Sequence, residues 1–126
     1  MALPDRPKFL NLLQLSYPPG AIASIGHRVT GVLLAIAAPI AAYVFTRSLA
    51  TPEGFAEVAH WGRAIPIRLA LAVLAAGFAY HLLAGVRHLL MDAGVGSSLR
   101  AGRGSAWAVI AAGVVVFVAA AVGLLR

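Results

Sequence analysis

Three long stretches without charged side chains dominate this chain. Residues 29–46 lie between Arg28 and Arg47, residues 69–86 lie between Arg68 and Arg87, and a third stretch runs from Gly104 to Leu125. The first two span 18 residues and the third spans 22. At about 1.5 Å per residue, helices of that length cover roughly 27 to 33 Å, which matches a hydrocarbon core about 30 Å thick. The pattern therefore predicts an all-α integral membrane protein with three transmembrane helices. They are expected over about 21–48, 66–93 and 104–125, behind a tail over 1–20, in one membrane-anchor domain covering 1–126.

Between these spans the chain reads as short connections. Consecutive prolines and a glycine in Tyr17-Pro18-Pro19-Gly20 predict an irregular turn that ends the tail, with the first helix beginning near Ala21. Thr51-Pro52-Glu53 carries a capping hydroxyl, a proline at the first helical position and a carboxylate near the positive dipole end, which predicts a short surface helix from 52 to about 60. Pro39 is expected to kink the first span, and Trp61 and Trp107 are expected in the interfacial aromatic belt. The third span has only apolar residues and spaced glycines beyond its first turn, so its expected role is packing.

Composition agrees with the pattern: 61% of residues are hydrophobic and 11% charged, outside the balance of soluble domains. The first hydrophobic run begins near residue 21 and exceeds the core of a secretory signal, so the first span is expected to remain in the mature chain. A net charge of +6 would point to nucleic acid in a soluble protein. Here the cations flank the spans, which makes lipid headgroups their partners and excludes nucleic acid. Arg6, Lys8, Arg28, Arg87, Arg100 and Arg103 fall on one side and Arg47, Arg63, Arg68 and Arg126 on the other. Six against four predicts a cytoplasmic N-terminus by the positive-inside rule. With no cysteine, the chain supplies neither a disulfide nor a cysteine-ligated cluster. Gly94-Val95-Gly96 lacks the rest of a dinucleotide fingerprint and reads as a loop.

Candidate chemistry gathers at one end of the second span. His81 is the one conventionally ionisable residue, tyrosines aside, within the three apolar stretches, and an intramembrane histidine is a functional hypothesis by default. It lies six residues before Arg87, about 9 Å along a helix axis. That places it on the same side of the membrane as Ser24, His27 and Arg28 of the first helix. Gly77 and Gly85 stand one turn to either side of His81, where small residues serve close helix packing or make room for a flat ligand such as a porphyrin. The alternative reading of His81 is a packing histidine bonded to a neighbour. His27, His88, Arg28 and Arg87 suit propionate carboxylates or, alternatively, snorkel to lipid phosphates. Ser24 and Arg28, at i and i+4, offer a hydroxyl and a fixed cation to a quinone carbonyl, or else a helix cap and a topology signal. Asp92 is read as a partner of Arg87 or His88, a proton donor, or a solvated loop residue.

Ser24-Ile25-Gly26-His27-Arg28-Val29-Thr30-Gly31, together with His81-x-x-x-Gly85-x-Arg87-His88-x-x-x-Asp92, resembles the cytochrome b556 subunits of succinate dehydrogenase, the larger membrane anchors of respiratory complex II. Arg6-Pro7 and Pro52-Glu53-Gly54-Phe55 are also similar to bacterial members, although Lys8-Phe9-Leu10-Asn11 replaces the family's Pro-His element after the tail arginine. The resemblance implies a three-helix anchor in the bacterial inner membrane, in a bundle completed by a second small anchor subunit. An iron–sulfur subunit and a flavoprotein would dock on it, and electrons would pass from succinate to quinone. It further implies His81 as an axial ligand of haem b shared with the second anchor, His27 and Arg28 near the propionates, and Ser24 and Arg28 in the quinone pocket. Arg87, His88 and Asp92 would lie just outside these contacts. The chain would not be catalytic alone. The competing class is a purely structural anchor or assembly subunit without a redox centre. A transporter or proton channel is disfavoured, because the opposite half of each span is almost wholly apolar.

Overall fold

The computed structural model describes residues 16–126, and all regular structure among them is helical. Four helices follow in order: α1 (Pro19–Ala50), α2 (Pro52–Trp61), α3 (Ile65–Asp92) and α4 (Leu99–Leu125). Three of them, α1, α3 and α4, are long and apolar enough to cross a membrane. The Arg6-Pro7 element of the tail and its flanking cation Lys8 lie outside the described residues.

Cross-helix contacts establish an up-down-up order. Gly20, His27 and Leu33 of α1 meet Arg87, Gly85 and Gly77 of α3, while Arg87, Tyr80 and Arg68 of α3 meet Gly102, Gly113 and Leu124 of α4. Residue numbers rise on one helix as they fall on its neighbour, so each pair is antiparallel. The N-terminus of α1 and the α3–α4 turn consequently share one end of the bundle, and α2 lies at the other.

Two helix starts precede the expected positions. The first span begins at Pro19, because a proline at the first helical position loses no intrahelical bond and its fixed φ suits a helix. Pro18, extended at φ −66 and ψ 152, supplies the carbonyl that accepts from Ala21 N at 2.9 Å. The third span begins at Leu99 rather than Gly104, with Ser98 capping Ala101 N at 3.3 Å. Arg100 and Arg103 mark where the apolar stretch starts, but an arginine does not stop a helix from continuing into the headgroup layer. Pro39 lies inside α1, which remains helical on both sides of it. Gly94 and Gly96 hold φ of 83° and 69° in the α3–α4 turn, a left-handed backbone that glycine adopts without a steric penalty.

Small residues form the interior. Ala23, Ala72, Ala84 and Ala106 are fully buried, with Gly77 and Gly113 beside them, and no large side chain among the described residues is fully enclosed. Between spans, where lipid is as apolar as leucine, close backbone approach through small residues replaces the bulky core of a soluble bundle. Valines, leucines and phenylalanines instead cover the outside.

At the far end, α2 folds against the last turn of α1. Thr51 Oγ1 accepts from Gly54 N at 3.0 Å, the cap that the sequence predicts. Gly54 itself is buried, and a Cβ there would lie 2.5 Å from the Arg47 carbonyl oxygen. Arg47 also pairs with Glu57 at 2.6 Å, across an exposed surface where such a bond adds little. Arg68 ties the same end together, donating to Leu124 O at 3.1 Å and to Gly62 O at 3.3 Å.

Candidate functional site

The motif of α1 acts as a notch for two side chains of α3. At Gly26 a Cβ would lie 2.5 Å from Tyr80 Oη, and at Gly31 it would lie 3.0 Å from His81 Cε1. The glycines thus let Tyr80 and His81 reach the backbone of α1. Tyr80 Oη donates to Ala23 O at 3.2 Å, and His81 Nδ1 lies 3.0 Å from His27 O and 3.3 Å from Thr30 Oγ1. On its other side the tyrosine ring touches α4, where a Cβ on Gly113 would come within 2.8 Å of Cδ2.

The carbonyl partner fixes the tautomer of His81. Since His27 O can only accept, Nδ1 carries the proton of that bond, and in the neutral ring Nε2 then keeps its lone pair. Among the described residues, Nε2 of His81 has no hydrogen-bond partner. A metal-ligating histidine has this arrangement, in which a bond from one ring nitrogen orients the other toward a metal. His88 has a similar donor state, because its Nδ1 lies 2.6 Å from Ala84 O, but that bond stays within its own turn of helix. Depth separates the two: His88 stands four residues before the end of α3 and His81 eleven, so about 10 Å along the axis divides them.

His27 completes a cluster of three imidazoles. Its ring stacks on His81 with centroids 4.1 Å apart and planes 15° from parallel, and it lies 5.1 Å from the ring of His88. Helices α1 and α3 therefore bring together His27, His81 and His88, as their expected place on the same side of the membrane allowed. Gly77 and Gly85 are committed to the same helix contact. A Cβ on Gly77 would meet Leu33 at 3.4 Å, and one on Gly85 would meet His27 Nε2 at 3.3 Å. Of the two roles open to these glycines, close packing is the one the structure displays.

Arg87 departs from its expected place. It is 8% exposed, the single buried charged residue among those described, and it turns away from the headgroup region into the α3–α4 contact. Its Nε donates to Ser105 Oγ at 3.0 Å and its Nη2 to Gly102 O at 3.0 Å, with Gly20 of α1 alongside. These bonds satisfy guanidinium donors that burial removes from water, which makes the inward position tolerable. Asp92 consequently pairs with neither Arg87 nor His88; it is exposed at the end of α3 and makes no hydrogen bond or ion pair among the described residues.

Ser24 and Arg28 make no side-chain hydrogen bond to the imidazoles among the described residues. At 100° per residue Ser24 lies about 20° around α1 from Gly31, which meets His81, and Arg28 lies farther round, on the exposed side. Arg28 is exposed and has no hydrogen-bond or ion-pair partner among the described residues. Sequence reasoning does not single out Thr30, Tyr80 or Ser105. Thr30 could be found from its spacing, three residues after His27 and on the same face; Tyr80 and Ser105 matter only through neighbours on other helices.

These features define a three-span helical membrane protein with a polar, histidine-centred helix junction near one membrane boundary. Residues 2–120 match the family described as succinate dehydrogenase/fumarate reductase transmembrane subunit. The chain belongs to that family. It is 37% identical over 121 residues to the succinate dehydrogenase cytochrome b556 subunit of Coxiella burnetii (strain RSA 493 / Nine Mile phase I), an alignment covering 93% of this chain and 94% of that protein. The subunit of the same description from Paracoccus denitrificans is 33% identical over 117 residues, covering 90% and 88%. That from Rickettsia bellii (strain RML369-C) is 38% identical over 87 residues, covering 69% and 67%.

Proposed function

We propose that this chain is the membrane anchor of a bacterial succinate:quinone oxidoreductase, with its N-terminus cytoplasmic, contributing one axial ligand of a b-type haem and part of the quinone-reducing site. The observation that carries the reading is the bond from His81 Nδ1 to the His27 carbonyl, which leaves Nε2 as a free donor inside the membrane. A bound haem would supply a one-electron redox centre within the anchor. His81 would hold the iron, and His27 and Arg28 would face the propionate carboxylates. A second small anchor subunit would supply the other iron ligand and cover part of the apolar exterior of the bundle. An iron–sulfur subunit and a flavoprotein complete the assembly, and succinate oxidation takes place there rather than in this chain.

Ser24 and Arg28 serve quinone. The Ser24 hydroxyl donates to a carbonyl oxygen, and the Arg28 guanidinium stabilises negative charge that develops on that oxygen as electrons arrive. A charge-assisted hydrogen bond of this kind contributes about 1.5–3 kcal/mol. Arg28→Leu is therefore expected to lower quinone reduction roughly 10- to 140-fold, while succinate oxidation by a soluble artificial acceptor stays near wild type. Equal loss of both activities would mark an assembly defect and remove Arg28 from the quinone site.

A purely structural anchor is the second reading, and the use of Gly77 and Gly85 for helix packing favours it. Gentle detergent purification from the native membrane separates the two. The redox reading expects co-eluting flavoprotein, iron–sulfur and second anchor subunits together with a reducible b-type spectrum. A stoichiometric complex that lacks the b-type band would establish the structural reading instead.

A further inference from the structure

We infer that Thr30, acting with the His27 carbonyl and the bare Cα of Gly31, is a positioning residue that sets the ring orientation of His81 and the electron donation of its Nε2. The inference rests on the haem reading above and deepens it. Three observations carry it. Thr30 Oγ1 lies 2.8 Å from Gly26 O and 3.0 Å from His27 O, so its single proton goes back to its own helix. That leaves its oxygen lone pairs facing His81 Nδ1 at 3.3 Å. The same nitrogen lies 3.0 Å from His27 O, so one N–H is shared between two acceptors on α1. Finally, a Cβ on Gly31 would stand 3.0 Å from His81 Cε1 and 3.5 Å from Nδ1, so only glycine at this position lets the ring settle against both acceptors without displacement.

The consequence is chemical as well as steric. Acceptors on Nδ1–H pull the proton away from the ring and raise the electron density that Nε2 offers to a metal. A more strongly donating imidazole stabilises the oxidised iron, and hydrogen bonding to the ligand is one of the levers by which a protein tunes a haem potential. Thr30 never touches the iron in this account; it acts through His81.

The test uses the intact purified complex. Thr30→Val keeps the shape and removes the hydroxyl. It is expected to raise the haem midpoint potential and to shift the reduced absorption band and the low-spin electron paramagnetic resonance signal, whereas Thr30→Ser restores wild-type values. Thr46→Val is the control, because Thr46 makes the same kind of bond to its own helix, to Tyr43 O at 2.9 Å, far from His81. Wild-type potential and spectra in assembled Thr30→Val would overturn the inference, as would an equal shift in Thr46→Val. If Thr30→Val does not assemble, Gly31→Ala decides: it crowds Cε1 while keeping the hydroxyl, and an unshifted spectrum would again overturn the proposal. The haem reading fails separately, through a wild-type complex without a b-type band or a band that survives loss of the His81 imidazole.

Discussion

His81→Gln is expected to abolish the normal b-type spectrum of the purified complex while its subunits still co-elute. Glutamine can donate its amide N–H to the His27 carbonyl and so preserve the contact between α1 and α3, but an amide oxygen or nitrogen is a poor ligand for haem iron. The other imidazoles are unsuited to replace it. His27 Nε2 points at the backbone of α3 beside Gly85, and His88 lies near the end of the helix with its Nδ1 bonded to Ala84 O. The matched variant His88→Gln is accordingly expected to retain the reduced-minus-oxidised band. A spectrum lost in His88→Gln and kept in His81→Gln would move the ligand to the membrane boundary and refute the depth argument.

Crowding the tyrosine wedge should produce the second large effect, on assembly rather than on colour. Tyr80 is held between Gly26 of α1 and Gly113 of α4, and an added Cβ would stand 2.5 Å from its hydroxyl oxygen or 2.8 Å from its ring. The ring cannot retreat from one helix without pressing into the other. Overpacking of this type costs about 1–3 kcal/mol, which corresponds to roughly a 5- to 140-fold loss in the folded-to-unfolded ratio. Gly26→Ala and Gly113→Ala are thus expected to lower the thermal midpoint and the yield of monodisperse complex. In a Tyr80→Ala background both added methyl groups should cost almost nothing, the non-additivity that contacting residues display. Equal penalties with and without the tyrosine would show that the glycines matter for some reason other than Tyr80.

The sequence places the three spans, the capped surface helix after Thr51 and the shared membrane side of His27, His81 and His88, because each depends on properties read along one chain. Hydrophobic length, turn chemistry and helical rise require no partner. Helix ends are less legible: Pro19 and Ser98 start helices inside segments that read as turn or loop, since proline at a first helical position and a capping serine are local signals easily overruled by a neighbouring run of charge or glycine. Arg87 shows the larger limit. Its sequence neighbourhood fits a headgroup arginine, yet Ser105 and Gly102 on a different helix draw it inward.

What the sequence alone determined, then, is an all-helical membrane protein with its polar chemistry concentrated near one boundary, and by its motifs the family to which it belongs. Only the tertiary structure decided what each residue of those motifs does: Gly26 and Gly31 admit Tyr80 and His81, Thr30 joins the histidine's bond, and Gly77 and Gly85 serve packing. The physical reason is that side-chain orientation and hydrogen-bond partnership belong to pairs of helices, whereas periodicity and hydropathy belong to one.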